Sequence, residues 1–322
     1  MTSTVLGPVS PGDLGTTLMH EHLVFGFPGF EGDITLGIPR EDAILRAKAE
    51  VEKAKAFGVK TIVDATPNEC GRDPELLKEV SERTEVNIIC STGYYFEGAG
   101  SPAYFKFRAG NGYDIAEEVY DMMMKEISDG IAKTGVKPGV IKLGSSHGVI
   151  TEYEAAFFRA AARVQKETGT VIITHTQGGT MGHEQADLLL SEGGIAKKIV
   201  IGHMCGNLDV QYHIDLLKKG VYDAFDRFGQ EGFGGSPLDS ERITVLLELL
   251  RLGFTDRLFI AQDTVNVLLG RPMVFPPEVK EVMDKANIIR IFEVIIPRLI
   301  EKGIGDAEIN MMLEKNVKCL FS

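Results

Sequence analysis

What the chain lacks narrows it first. No apolar run among its 322 residues approaches the roughly 18 needed to cross a bilayer, so no transmembrane helix is expected. Residues 1–13 carry no basic stretch followed by an apolar one, so they do not read as a signal peptide. Basic side chains are outnumbered, 34 Lys and Arg against 46 Asp and Glu. The resulting net charge of -12 argues against a nucleic-acid or anionic-membrane partner. Cysteine is scarce: Cys70, Cys90, Cys205 and Cys319 lie far apart with no Cys-x-x-Cys pair, which fits a reducing, cytoplasmic setting. No low-complexity stretch or linker divides the sequence, so residues 1–322 are expected to form one domain.

Eight short apolar runs, most rich in Val and Ile, occupy 17–22, 60–65, 86–92, 139–144, 170–176, 198–203, 221–228 and 257–263. Helical-period segments separate them at 40–57, 73–83, 115–133, 152–167, 181–192, 210–219 and 240–252, and a helix-rich region covers 276–302. Strands that are apolar throughout belong in a sheet covered on both faces. Eight strand–helix units in a chain of this length predict a closed parallel TIM (β/α)8 barrel. An open doubly wound sheet is the alternative, but no Gly-x-Gly-x-x-Gly follows the first run.

Histidine is also scarce, only seven in all, yet four of them end strand-like runs. His20 and His22 are two apart, so in a strand they share a face, and burying both without a metal or partner would be costly. His175 ends the fifth run, His203 the sixth and Asp263 the eighth. A barrel gathers such strand-end residues on one rim, where active sites lie. Lys142 sits near the end of the fourth run, where an ammonium has a high desolvation cost. It either snorkels to the rim or, beside four histidines and an aspartate, is carbamylated to an anionic group able to bridge two metals. Two divalent ions with Asp263, that carbamate and a bridging hydroxide would keep a net charge of about +1, enough to polarise a carbonyl or phosphoryl oxygen. A water bridging two metals is largely deprotonated near neutral pH, which supplies a nucleophile without Ser or Cys.

Taken together, several segments resemble the phosphotriesterase-like branch of the amidohydrolase superfamily over nearly the full length. The carriers are Leu14-Gly15-Thr16-Thr17-Leu18-Met19-His20-Glu21-His22, Ile141-Lys142, Ile173-Thr174-His175-Thr176, Ile201-Gly202-His203, Asp226-Arg227-Phe228-Gly229 and Gln262-Asp263. The resemblance implies a binuclear centre in which His20, His22 and Asp263 hold one metal, His175 and His203 the other, and carbamylated Lys142 with hydroxide bridges them. Zinc is the implied metal, with cobalt, manganese or iron as alternatives, and Asp263 would also take a proton from the hydroxide. Lactonase-like members are similar in placing an arginine at Arg227, where efficient organophosphate hydrolases carry histidine, and a tyrosine at Tyr95. The expected activity is lactone opening with promiscuous ester and phosphotriester hydrolysis; a true phosphotriesterase, a carboxylesterase, or a metal-holding barrel without efficient catalysis are the alternatives. A homodimer is implied by resemblance alone.

Several residues have plainer readings. Tyr95 can be a rim aromatic, and Arg227 a salt-bridge partner of Asp226 or Asp263. Gly206 stands where many relatives carry a relay carboxylate, with Asp209 three residues on. His147 reads as an exposed loop residue, His183 and His213 as solvent-facing, Cys205 as a buried structural thiol, and Gly178-Gly179 as a flexible or tight turn. The segment 97–113 reads as a long loop shaping substrate access or a subunit contact, and the apolar 264–272 as pocket or interface lining.

Overall fold

The computed structural model describes residues 1–322 apart from Ile34, Leu36, Phe233 and Gly234, and apart from the side chains of Glu278 and Asp284. A short antiparallel hairpin, β1 (Thr2–Thr4) and β2 (Gly7–Val9), precedes eight parallel strands. These are β3 (Thr17–Glu21), β4 (Thr61–Asp64), β5 (Asn87–Gly93), β6 (Val140–Ser145), β7 (Val171–Thr176), β8 (Ile199–Ile201), β9 (Tyr222–Phe225) and β10 (Leu258–Ile260). They pair in sequence order from β3 to β10. The ring closes beyond the regular pairing: Asp263 N–H donates to the His20 carbonyl at 3.1 Å and His22 N–H to the Thr264 carbonyl at 2.9 Å. The expected TIM barrel is therefore observed, and the open sheet is not.

The strands are buried along their length because both of their faces meet apolar layers. Val63, Ile89, Val140, Val171, Ile173, Val200 and Phe259 form one cluster with Val317, Leu320 and Phe321 of the C-terminal helix. Side chains such as Ile62, Ile88, Leu143, Ile172 and Ile201 belong to two other clusters, which they share with the surrounding helices. Those helices are α1 (Arg40–Ala56), α2 (Pro74–Thr84), α3 (Ala103–Gly110), α4 (Ile115–Asp129), α5 (Glu152–Thr168), α6 (Gly182–Ser191), α7 (Val210–Leu217) and α8 (Asp239–Arg251). Among the described residues no helix is long and apolar enough to cross a membrane.

Two expectations need correction. Within 97–113 the chain forms helix α3, because Phe105 buries its ring against Tyr94 and Phe157 and anchors the segment. Helix α4 stops at Asp129 rather than 133, where Gly130 and Ala132 turn to positive φ. The region 276–302 is helix-rich as expected, in separate pieces: Pro277–Lys285 is helical, and a π-turn at Ile291–Ile295 precedes Ile296–Glu301. Pro297 lacks the N–H that a regular helical ladder would use there.

Candidate metal centre

The carboxyl rim of the barrel collects the polar side chains that its apolar strands cannot bury elsewhere. Lys142 projects from β6 and His175 from β7, while β3 ends in His20 and Glu21, with His22 next. Strands β8 and β10 stop sooner than their apolar runs suggest, at Ile201 and Ile260. His203 and Asp263 lie past those ends on left-handed backbone, with φ of 60° and 54°. Such a conformation costs about 1–2 kcal/mol for a residue with a Cβ, so it persists where neighbours hold it. His203 N–H donates to Asp226 Oδ1 at 2.7 Å, and Asp263 N–H to the His20 carbonyl.

All six expected ligands converge. His22 Nε2 lies 3.1 Å from Asp263 Oδ1, and His20 Nε2 lies 3.7 Å from the same oxygen. His203 Nε2 is 3.7 Å from Asp263 Oδ2. Lys142 Nζ is 2.7 Å from His20 Nε2, and the His175 ring centroid is 4.6 Å from that of His203. Every one of these side chains is buried.

Partners behind the rings fix which nitrogen faces inward. Asp226 accepts from Nδ1 of His20 at 2.7 Å and from Nδ1 of His203 at 2.9 Å, so both Nε2 atoms turn their lone pairs inward, that of His20 toward Lys142 Nζ. The Thr66 hydroxyl donates to the Val24 carbonyl, so its oxygen accepts from His22 Nδ1 at 2.9 Å, with the same result. His175 is turned the other way. Its Nε2 donates to Gln177 Oε1 at 2.7 Å, and its Nδ1 is buried with no hydrogen-bond partner among the described residues. A buried ring nitrogen without a partner beside three inward Nε2 atoms and a carboxylate is a donor set suited to a divalent cation. His20, His22 and Asp263 form one such group. His20, His203 and Asp226 also cluster, but through Nδ1 atoms that the Asp226 carboxylate already engages, so this second group braces the rings.

Electrostatics agree with that donor set. Burial, helped by nearby Lys142, pushes His20 down to about 3, and burial also lowers His175 and His203, so these rings stay neutral at pH 7. Burial pushes the Lys142 ammonium down to about 8, so about a tenth is free amine at pH 7, far more than for an ordinary lysine. Burial alone would raise Asp226 and Asp263. The His203 and His20 rings hold Asp226 far below the usual carboxylate range, and His203 and Arg227 do the same for Asp263.

Arg227 donates from Nε to Asp263 Oδ2 at 2.9 Å, which selects between its two expected acceptors: it pairs with Asp263 and not with Asp226. Its main-chain carbonyl is gripped by the buried Arg242 guanidinium. Tyr95 stands edge-on to His175 with 4.9 Å between centroids, and its N–H donates to Glu69 Oε1 at 2.7 Å.

Five contributors escaped the sequence reading. Asp226, Thr66 and Gln177 orient the imidazoles, and Phe96 stacks on His175 at 4.8 Å with 11° between planes. Glu21, between the two histidines, accepts hydrogen bonds from Gln262 and Thr264 across the barrel closure. Burial pushes its carboxyl up to about 8, but its hydrogen bonds oppose that shift, and because both oxygens accept from donors the geometry is that of the ionised carboxylate. Asp226 obeys the same strand-end rule that revealed the histidines; the others have no comparable signal.

The remaining polar residues fall outside the cluster. His213 is not solvent-facing: it is buried, with Nδ1 on Asp223 Oδ2 at 2.6 Å and Nε2 on the Asn207 carbonyl at 2.9 Å, because its face of α7 packs on β9. His183 is half-buried, with Nε2 on the Tyr212 carbonyl. His147 is exposed and Cys205 is buried. Asp209 is exposed and caps α7 through Gln211 N–H instead of reaching the rim.

Comparison with known proteins gives one consistent picture. A model of the phosphotriesterase family matches residues 1–321. The chain is 46% identical to a mutant form of a Deinococcus radiodurans PTE-like lactonase, with a TM-score of 0.98 and 100% of both chains covered. An aryldialkylphosphatase of Saccharolobus solfataricus is 32% identical over 314 residues, 96% of each chain. A phosphotriesterase homology protein of Mycobacterium tuberculosis is 31% identical over 328 residues, 99% of this chain and 97% of the other.

Proposed function

The chain belongs to the phosphotriesterase family and is a hydrolase, and we propose that its principal reaction is the opening of lactones, with weaker turnover of aryl esters and phosphotriesters. Members of the family are binuclear metal hydrolases acting on small ester, lactone or phosphotriester substrates. The observation that carries the lactone reading is the full-length likeness to the Deinococcus lactonase. The rim residues support it: Arg227 is bound to Asp263, and Tyr95 stands beside His175.

His20, His22 and Asp263 would hold one ion and His175 and His203 the other, with Lys142, as a carbamate, shared between them. Two such ions, zinc by the family resemblance, would supply Lewis acidity toward the carbonyl oxygen and acidify water at neutral pH. The chain's own residues do the rest. Asp263 is kept ionised by Arg227 and His203, so it can receive the proton released as water adds to the carbonyl carbon. The Tyr95 hydroxyl, kept protonated because burial raises its pKa, can donate to the developing oxyanion. Arg227 fixes the direction of the Asp263 carboxylate. Asp226 and Gln177 keep the rings in the tautomers that the ions need. The low pKa of Lys142 makes its amine available for carbamate formation. The proposal extends to a cytoplasmic homodimer.

The test is kcat/KM on one metal-reconstituted preparation against acyl-homoserine lactones, aliphatic γ- and δ-lactones, a p-nitrophenyl ester and a p-nitrophenyl phosphotriester, with His20→Asn as control. Lactones should lead by about 100-fold or more and collapse in the control. A phosphotriester or aryl ester in the lead would overturn the roles given to Tyr95 and Arg227.

A further inference from the structure

The middle residue of the His-Glu-His motif points away from the ligand cluster. Glu21 is 0% exposed, and its partners all come from the facing edge of the barrel closure. Oε1 accepts from Gln262 N–H at 3.1 Å; Oε2 accepts from Thr264 N–H at 2.9 Å and from the Thr264 hydroxyl at 2.5 Å. The amide between them, Asp263 N–H, donates to the His20 carbonyl at 3.1 Å. Three consecutive amides are thus fastened to residues 20 and 21, and the residue they bracket has a φ of 54°. Successive N–H groups in a turn of this kind form an anion-binding concavity, and its anion here is the chain's own carboxylate. Removing the carboxylate would strand two buried donors beside an unfavourable left-handed residue.

We propose that Glu21 is a positioning residue for Asp263: it locks the turn that aims the Asp263 carboxylate at His22 and His203, and so ties the ligands of the first barrel strand to the ligand of the last. This rests on the reading of Asp263 as metal ligand and proton acceptor. Glutamine cannot replace Glu21. Each oxygen already accepts a backbone amide, so the NH2 group would face an N–H whichever way the side chain lay.

The experiment titrates the metal-free full-length protein with Co(II), followed by visible absorption, alongside melting temperature and lactone kcat and KM. Glu21→Gln should weaken Co(II) binding at one of two sites by 10- to 100-fold, on the scale of other supports behind metal ligands. The affected site should be the one lost in Asp263→Asn. Lactone kcat should fall while KM changes by less than about threefold. Thr264→Val should weaken the same site several-fold and Thr264→Ser should restore it; if Glu21→Gln does not fold, this pair decides. Unaltered Co(II) binding with only a lowered melting temperature would overturn positioning and reduce Glu21 to a structural staple. Unaltered binding in Asp263→Asn would instead bring down the metal reading itself, and this inference with it.

Discussion

His20 and His203 are braced differently from His175. The first two donate from Nδ1 to one shared carboxylate, Asp226, which also accepts the His203 amide. His175 presents the opposite nitrogen and leans on a neutral side-chain amide, Gln177, and on the face of Phe96. A carboxylate behind an imidazole raises ligand basicity and locks the ring more firmly than an amide does. The Asp226 brace is therefore a buried charge shared by one ring at each proposed ion, whereas the Gln177 brace is a neutral contact on a turn that serves His175 alone. Asp226 should govern the binding of both ions, and Gln177 only how readily the ion held by His175 and His203 leaves.

Breaking the group shared between the two ions should have the largest effect. Lys142→Ala should strip or loosen the second ion and lower kcat by about 1,000-fold or more, read by metal analysis and turnover on the same preparation. Retention of both ions and full activity would remove Lys142 from the site. Asp226→Asn comes next: both His20 and His203 lose their charged brace, and metal affinity should fall by about 10- to 100-fold. Gln177→Leu should cost about tenfold or less, at one ion only. Equal losses in the two variants would erase the contrast between the two braces. Arg227→His, which frees Asp263 from its guanidinium, should shift the lactone-to-phosphotriester ratio toward the phosphotriester by about tenfold, and an unchanged ratio would mean that Arg227 does not tune preference.

Acid should expose the same buried rings. His20 is pushed from 6.5 down to about 3 in the fold, and His175 and His203 are lowered too. Below pH 6.5 the unfolded chain binds protons that the folded rings refuse. Stability of the metal-free protein should therefore be full above 6.5 and decline as pH falls toward 3. Denaturant melts across that window check this, and His20→Asn should flatten the slope.

Much of this was legible before the structure. The barrel followed from eight runs apolar on both faces, and the six converging residues from the rule that polar groups at strand ends share a rim. What escaped depends on contacts between distant residues. Asp226 was visible beside Arg227, yet one of its partners lies 206 residues away. Nothing in an apolar run announces that the residues after Ile201 and Ile260 turn left-handed to aim His203 and Asp263. His213 sits on a short helix whose pattern suggested solvent, but Asp223 on β9 offers it a buried acceptor. Phe105 converts an apparent loop to a helix by packing on Tyr94 and Phe157, neighbours from separate elements.

The central claim is that two ions act together on one rim. The most direct measurement follows lactone kcat while metal-free protein is titrated with zinc in bicarbonate buffer, with bound metal counted at each point. Activity that stays low through the first equivalent and climbs until two ions are bound per chain is the predicted result. Activity that reaches its ceiling with a single ion bound would contradict it.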